Sequence, residues 1–224
     1  MPTEIHQPTG RTRPAPESIE AWHPVATSIV ADLVAGRTLV DPLIRPLRPP
    51  GSGVKLLGPA ITARCDGADY GAVHHAIAEA VAGDVLVLAV GGRLSHAVIG
   101  DLLGGAARRK GLAGVVVDGA VRDTEILAGF SDFLVFARGT TPLGPSSKDG
   151  GAVNVPVSFG GVDVMPYDLV LGDADGLVII RPGDEAELLA KSQARLRAEI
   201  GWEEELATGR STLDVFGVPA ARRL

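Results

Sequence analysis

The stretch GVVVDGAVRDTEIL (residues 114–127) decides the fold. Val115, Val116 and Val117 are consecutive and β-branched, which suits a parallel strand covered on both faces better than a half-exposed strand of alternating polarity. Upstream, DVLVLAV (84–90) has the same character, and HAVIGDLLGGAARRKG (96–111) between them has helical length and pattern. A strand, a crossover helix and a second buried strand make a right-handed unit with parallel strands. The six residues that close the second strand, Asp118-Gly119-Ala120-Val121-Arg122-Asp123, are not core residues. They place two carboxylates and a guanidinium where a buried strand ends.

The same alternation extends in both directions. GPAITARC (58–65) reads as a strand, GAVHHAIAEAVAG (71–83) as a helix, Asp123–Leu127 as the start of another, and FLVFARG (133–139) as the next strand. The second half changes character: VNVPVSFGGVDVMP (153–166) holds short extended pieces, and DLVLGDADGLVII (168–180) predicts a hairpin turning at Asp175-Gly176. A polar helix follows over 184–207, with Leu188, Leu189, Leu196 and Ile200 toward the body. At the other end, a helix is expected over Ser18–Ala35, with Ser18 as N-cap and Gly36 as its stop, then a proline-rich connector over 43–53. Residues 1–16 read as a flexible N-terminal arm, or a strap laid on another subunit, and 17–224 as a single domain. The expected fold class is α/β, parallel strands with an antiparallel portion.

Composition excludes several functions. A net charge of −6 and no basic run longer than Arg108-Arg109-Lys110 argue against nucleic acid as a partner. Cys65 is the sole cysteine, so neither an intrachain disulfide nor a thiolate zinc cage can form. Neither a signal-type leader nor an apolar run of spanning length is visible, so a cytoplasmic protein without membrane partners is expected.

Ligands of open α/β sheets bind beyond the carboxyl ends of the strands. Glycines at 91, 92 and 100 follow one such end, and Gly100-Asp101-Leu102-Leu103 offers backbone amides to an anion. Arg122 offers a planar fork to a carboxylate or polarised carbonyl. Asp101 and Asp123 offer hard oxygen ligands suited to Mg²⁺ or Mn²⁺, and the set would suit a small keto acid. Helix caps and surface ion pairs are the bland reading of the same residues. His74 and His75 are neighbours that point about 100° apart on a helix, which favours a surface or partly buried role over a shared metal. His96 is a pocket-lining candidate, GDADG (172–176) a turn, and PLGPSSKDGG (142–151) a flexible loop near the site.

GDLLGGAARRKGLAGVVVDGAVRD, FARGTTPLGPSSKDGGAVNVPVSFGGV and LVLGDADGLVIIRPGD together resemble the class II pyruvate aldolases acting on 4-hydroxy-4-methyl-2-oxoglutarate and 4-carboxy-4-hydroxy-2-oxoadipate. This RraA-like family also contains regulators of ribonuclease E activity. The resemblance implies an α/β/α layered fold with a swivelling-domain-like β/β/α core, and a homotrimer or dimer of trimers. It implies that Arg122 contacts the pyruvyl group, that Asp123 ligates the metal directly, and that the backbone at Leu102 and Leu103 holds the carboxylate. Asp101 would reach the metal through water, as would Glu199, matched through RAEIGWEEELATG, from a neighbouring subunit. The implied activity is metal-dependent cleavage of a 4-hydroxy-2-oxo acid to pyruvate, with oxaloacetate decarboxylation beside it. The alternative is a non-catalytic regulator that binds a ribonuclease.

Overall fold

In a computed structural model, which describes residues 1–48 and 54–223, the valine run lies at the centre of a large sheet. In chain order the elements are β1 (Glu4–Ile5), α1 (Pro16–Glu20), α2 (Thr27–Leu33), β2 (Arg45–Pro46), β3 (Leu56–Arg64), α3 (Gly71–Glu79), β4 (Val85–Ala89), α4 (Asp101–Arg109), β5 (Gly114–Val121) and α5 (Thr124–Ala128). There follow β6 (Leu134–Thr140), β7 (Ala152–Val153), β8 (Val157–Phe159), β9 (Val162–Val164), β10 (Leu169–Gly172), β11 (Leu177–Ile180), α6 (Glu185–Ala207) and α7 (Thr212–Val215).

The sheet runs β1-β7-β3-β4-β5-β6-β2, with β3 through β6 mutually parallel. Because β3 is long, its second half pairs with β4 while its first half pairs antiparallel with β10, which continues into the β10–β11 hairpin. Strand alternation then sorts the core. Leu86, Leu88, Val115 and Val117 pack toward α3, α4 and α5 with Val73, Ala76 and Leu127. Val85, Val87, Val116 and Phe136 face the opposite way, against the β8–β9 hairpin through Val157, Phe159 and Val164. A third cluster joins the outer face of the β10–β11 hairpin to α2 and α6 through Trp22, Ile29, Leu171, Ile180 and Leu188. The result is helices, a mainly parallel sheet, a second β layer, and helices again, the α/β arrangement expected. Phe136 is fully buried, so Phe136→Ala would cost about 3–5 kcal/mol.

Several expectations are corrected. The helix over Ser18–Ala35 is two helices, and Ala15, not Ser18, is the first N-cap. Pro24 disfavours a helical residue before it, and the chain turns there with Trp22 buried. The second of these helices is capped from a distance, since Thr27 N–H donates to Asp173 Oδ2 at 2.9 Å and Thr27 Oγ1 to Asp173 Oδ1 at 2.6 Å. That gives the GDADG turn a structural task. The helix begun at 71 ends at Glu79, because Asp84 Oδ2 accepts the Val81 N–H and turns the chain into β4.

The arm over 1–16 is laid on its own body. β1 pairs parallel with β7, Arg11 grips the buried Asp168, and Arg13 grips the buried Asp84. Of the connector over 43–53, residues 49–53 lie outside the described residues; β2, in its first part, pairs with β6.

Candidate active site

The valine strand β5 does not stop at Val117. It continues through Asp118 to Val121, with a register shift against β6 between Val117 and Ala120. Asp118 therefore points into the fold and is a structural group: its Oδ1 accepts from Arg138 Nε at 2.6 Å and its Oδ2 from the Gly160 N–H at 3.1 Å. Arg138 in turn donates to Asp41 Oδ2 at 2.7 Å. Hydrogen bonding to Leu43 and Arg138 holds the Asp41 carboxyl below its ordinary range.

Beyond Val121 the chain leaves the sheet. Arg122 N–H donates to Ile99 O at 3.1 Å, and Val98 N–H to Ala120 O at 3.2 Å. Residues 96–100, expected as the first turn of a helix, are thus tied beside the end of β5, and α4 begins only at Asp101 with Gly100 as N-cap. This tie brings the two loops together. A Cβ built on Gly100 would lie 2.3 Å from Asp123 Oδ2 and 2.9 Å from Arg122 Cγ, so only glycine permits the approach. Asp123 caps α5 in the left-handed region, φ 54°, a conformation that aspartate tolerates better than most residues.

Around this junction lie two cavities with a common wall. One, of about 490 Å³, is lined by Asp101, Val121, Arg122, Asp123, Thr124, Thr140, Thr141 and Pro142. The other, of about 130 Å³, is lined by Tyr70, His74 and Pro145 together with Gly100, Asp101, Leu102, Leu103 and Arg122. Asp123 Oδ2 accepts the Asp101 N–H at 3.2 Å and lies 3.5 Å from Arg122 Nε. Leu102 N–H donates to Asp101 Oδ1 at 2.7 Å, so a carboxylate held by the start of α4 would exchange places with that side chain. Gly100, Asp101, Leu102, Arg122 and Asp123 are therefore gathered at one junction, with Leu103 on the smaller cavity.

Glu199 is not gathered there. It lies on α6 and pairs with Arg195 at 3.1 Å, whose guanidinium stacks 4.6 Å from the Trp202 ring centre. His96 lines neither cavity; its Nδ1 meets Ser95 Oγ at 3.1 Å. Pro142 and Pro145 bear out the loop over 142–151 as lying near the site, whereas Tyr70, Thr140 and Thr141 were passed over and His74 was expected only in a surface or partly buried role. Thr140 ends β6, the strand beside β5, with Thr141 next, and the strand-end rule applied there would have found both. His74 stacks against Tyr70 at 4.8 Å, and burial, helped by Lys148 and His75, lowers its pKa.

The donor set can be tested against a cation. Among the described residues, no group of three or more His, Cys, Asp or Glu side chains is placed to hold a metal. The cavity wall carries two carboxylates, which fits an oxygen-seeking ion that keeps several waters and not a zinc caged by protein. Cys65 is no competitor, since burial pushes its thiol up to about 12.

Residues 27–179 match the RraA-like family, described as Aldolase/RraA. The chain belongs to that family. A relative in Halalkalibacterium halodurans, named provisionally as a 4-hydroxy-4-methyl-2-oxoglutarate aldolase, is 38% identical over 178 residues, covering 79% of this chain and 82% of that one. Streptomyces coelicolor RraAS2, described as an unusual member of the RNase ES inhibitor RraA protein family, is 27% identical with a TM-score of 0.74, covering 89% of this chain and 100% of that one. The fold is also shared by an uncharacterized protein from Pseudomonas syringae pv. tomato, 24% identical with a TM-score of 0.80 over 95% of this chain and 99% of that one. The relatives of this chain thus include one provisionally named as an aldolase and one described as an unusual member of a ribonuclease-inhibitor family. No helix among the described residues is long and apolar enough to cross a membrane.

Proposed function

We propose that this chain is a divalent-metal-dependent pyruvate lyase that cleaves a 4-hydroxy-2-oxo acid of the 4-hydroxy-4-methyl-2-oxoglutarate type, with oxaloacetate decarboxylation as a second activity. The observation that carries the reading is that Arg122 and Asp123 line one cavity, with Asp101 between it and the next.

Asp123 is the residue that would hold Mg²⁺ or Mn²⁺ directly, with Asp101, and Glu199 of a neighbouring copy, as outer contacts in a homotrimer or dimer of trimers. The ion, when bound, supplies a Lewis acid for the keto oxygen. Arg122 then orients the pyruvyl group, since a planar fork can donate at once to a carboxylate and a ketone. Its fixed charge faces the oxygen that becomes negative as the carbon–carbon bond breaks, and needs no reorganisation to do so. Asp101, on the wall of both cavities, would take the C4 hydroxyl proton by way of a water and return one to the pyruvyl carbon after the bond breaks. The threonines at 124, 140 and 141 offer hydroxyls to the rest of the substrate.

The similarity to RraAS2 supports a second reading, a non-catalytic regulator that binds a ribonuclease. One panel separates the two: pyruvate release from 4-hydroxy-4-methyl-2-oxoglutarate and from oxaloacetate, with Mg²⁺, with EDTA, and in Arg122→Ala and Asp123→Ala. The lyase requires turnover that EDTA abolishes and that either substitution lowers by on the order of 10²–10³. Turnover insensitive to EDTA rejects the mechanism, and no turnover on either substrate leaves the regulator or an enzyme for another keto acid.

A further inference from the structure

The wall of the smaller cavity is held from an unexpected direction. Gly144 presses on the Arg122 guanidinium so closely that a Cβ there would lie 2.4 Å from Nη1, and Pro145 lines the same cavity. These residues belong to the loop between β6 and β7, which is fastened to the start of α3: Ser146 N–H donates to Ala68 O at 2.9 Å, Tyr70 N–H to Ser147 O at 3.2 Å, and Ser147 Oγ to Asp69 Oδ2 at 2.9 Å. The far end of the loop is tied by the N-terminal arm. Thr3 Oγ1 donates to Gly150 O at 2.8 Å, Glu4 N–H to Gly151 O at 3.1 Å, and His6 N–H to Val153 O at 3.0 Å. The arm in turn is anchored on the body by Arg11 and Arg13, the latter 4.9 Å above the Tyr167 ring and 3.1 Å from Asp84 Oδ2.

We propose that Thr3 and the strand β1 are positioning groups for Arg122: they fix residues 150 and 151, which keep the loop over 143–147 seated on the guanidinium. Between the two sets of ties only Lys148 and Asp149 intervene, and the Asp149 N–H donates to Ser147 Oγ at 3.3 Å. Leu143 O also accepts the Ala97 N–H at 2.8 Å, so the arm holds the loop from its far end. Arg122 is 43% exposed, and Gly144 is one of the backbone segments that press on it. Release of the arm would free the loop at Gly150-Gly151, whose φ values of 78° and 77° make it a ready hinge. The claim that this matters for catalysis rests on the proposed role of Arg122; the claim that the arm seats the loop does not.

The test uses the full chain with Thr3→Val, Thr3→Ser and Glu4→Pro, the last removing the N–H that reaches Gly151. Two measurements are independent of turnover: amide exchange at Tyr70, Ser146 and Ser147, and modification of Arg122 by phenylglyoxal read by peptide mass spectrometry. Thr3→Val and Glu4→Pro are expected to speed both by on the order of fivefold, as for one lost hydrogen bond, and Thr3→Ser to restore the wild-type rates. In the assay, kcat/KM for the pyruvyl substrate falls by a similar factor, with kcat sharing the loss because Arg122 acts on the oxygen that becomes negative, and Thr3→Ser restores it. Unchanged exchange and modification rates overturn the seating of the loop by the arm. Faster rates with an unmoved kcat/KM in an active enzyme overturn the positioning role, and a wild type without turnover on either substrate counts against the proposed lyase while leaving the first two measurements to decide the seating of the loop.

Discussion

Asp118 and Asp123 belong to one short segment and have opposite tasks. The first is buried and spent on Arg138 and the Gly160 amide, while the second stands half-exposed at a cavity. What separates them is the length of β5: Asp118 lies within the strand, which runs to Val121, and Asp123 lies beyond its end. Gly100 is the other half of that design. Gly100→Ala would drive a methyl group into Asp123 Oδ2, and because the clash meets a carboxylate and the root of Arg122, both site groups must move. A misplacement of this kind is expected to lower kcat/KM by on the order of 10²-fold, with the far-ultraviolet circular dichroism unchanged. Wild-type turnover in Gly100→Ala would show that neither group works from the position seen here.

At the scale of elements, the N-terminal arm is held by two guanidiniums on two carboxylates that are inaccessible to solvent. Arg11→Ala leaves Asp168 buried and unpaired, which should cost on the order of 2–3 kcal/mol by chemical denaturation. Asp168→Asn should cost less, because no charge is stranded in the interior. The pH dependence has a definite sign. Burial raises the Asp168 carboxyl above its ordinary 3.8 despite the Met165 amide and Arg11, so the folded state binds this proton more tightly than the unfolded chain does. Its contribution is full below 3.8 and is lost as pH rises through the elevated folded-state value. The stability of wild type minus that of Asp168→Asn should therefore fall across that window and then level off; a difference that grows with pH would contradict the direction of the shift.

Much at this scale was legible beforehand. The strands β3 to β6 and the helix α6 announce themselves because a doubly covered strand needs an unbroken apolar run and a long surface helix needs a periodic stripe. The break at Trp22–Pro24 had a local signal in Pro24, which the helix expected over Ser18–Ala35 ran through. The distant capping of α2 by Asp173 and the late start of α4 were not legible, because both depend on partners far along the chain. The cavity wall formed by Tyr70 and His74 was missed for the same reason, since it faces Arg122 only after the sheet has closed.

At the scale of the molecule, the site of one protomer is open. Leu102 is 76% exposed at the smaller cavity, and Glu199 is remote from Asp123 in chain order and absent from both cavity walls. If the proposed oligomer holds, Asp123→Ala and Glu199→Ala damage different contributors to one shared site. Each variant alone should be inactive, and refolding an equimolar mixture should recover roughly a quarter or less of wild-type turnover, because some mixed boundaries carry both intact groups. Recovery fails if Glu199 acts within its own protomer or not at all, and light scattering on the wild type would give the number of copies directly.

The sequence alone determined which residues could do chemistry and which strands must be buried, because side-chain type and periodicity are local properties and the valine runs admit few alternatives. Only the tertiary structure decided that Asp118 is a brace and Asp123 a site group, that residues 96–100 lie along β5, and that the N-terminal arm is docked on its own body. Those outcomes depend on which distant donor reaches each carboxylate, and a donor's reach is fixed by packing in three dimensions and not by position along the chain.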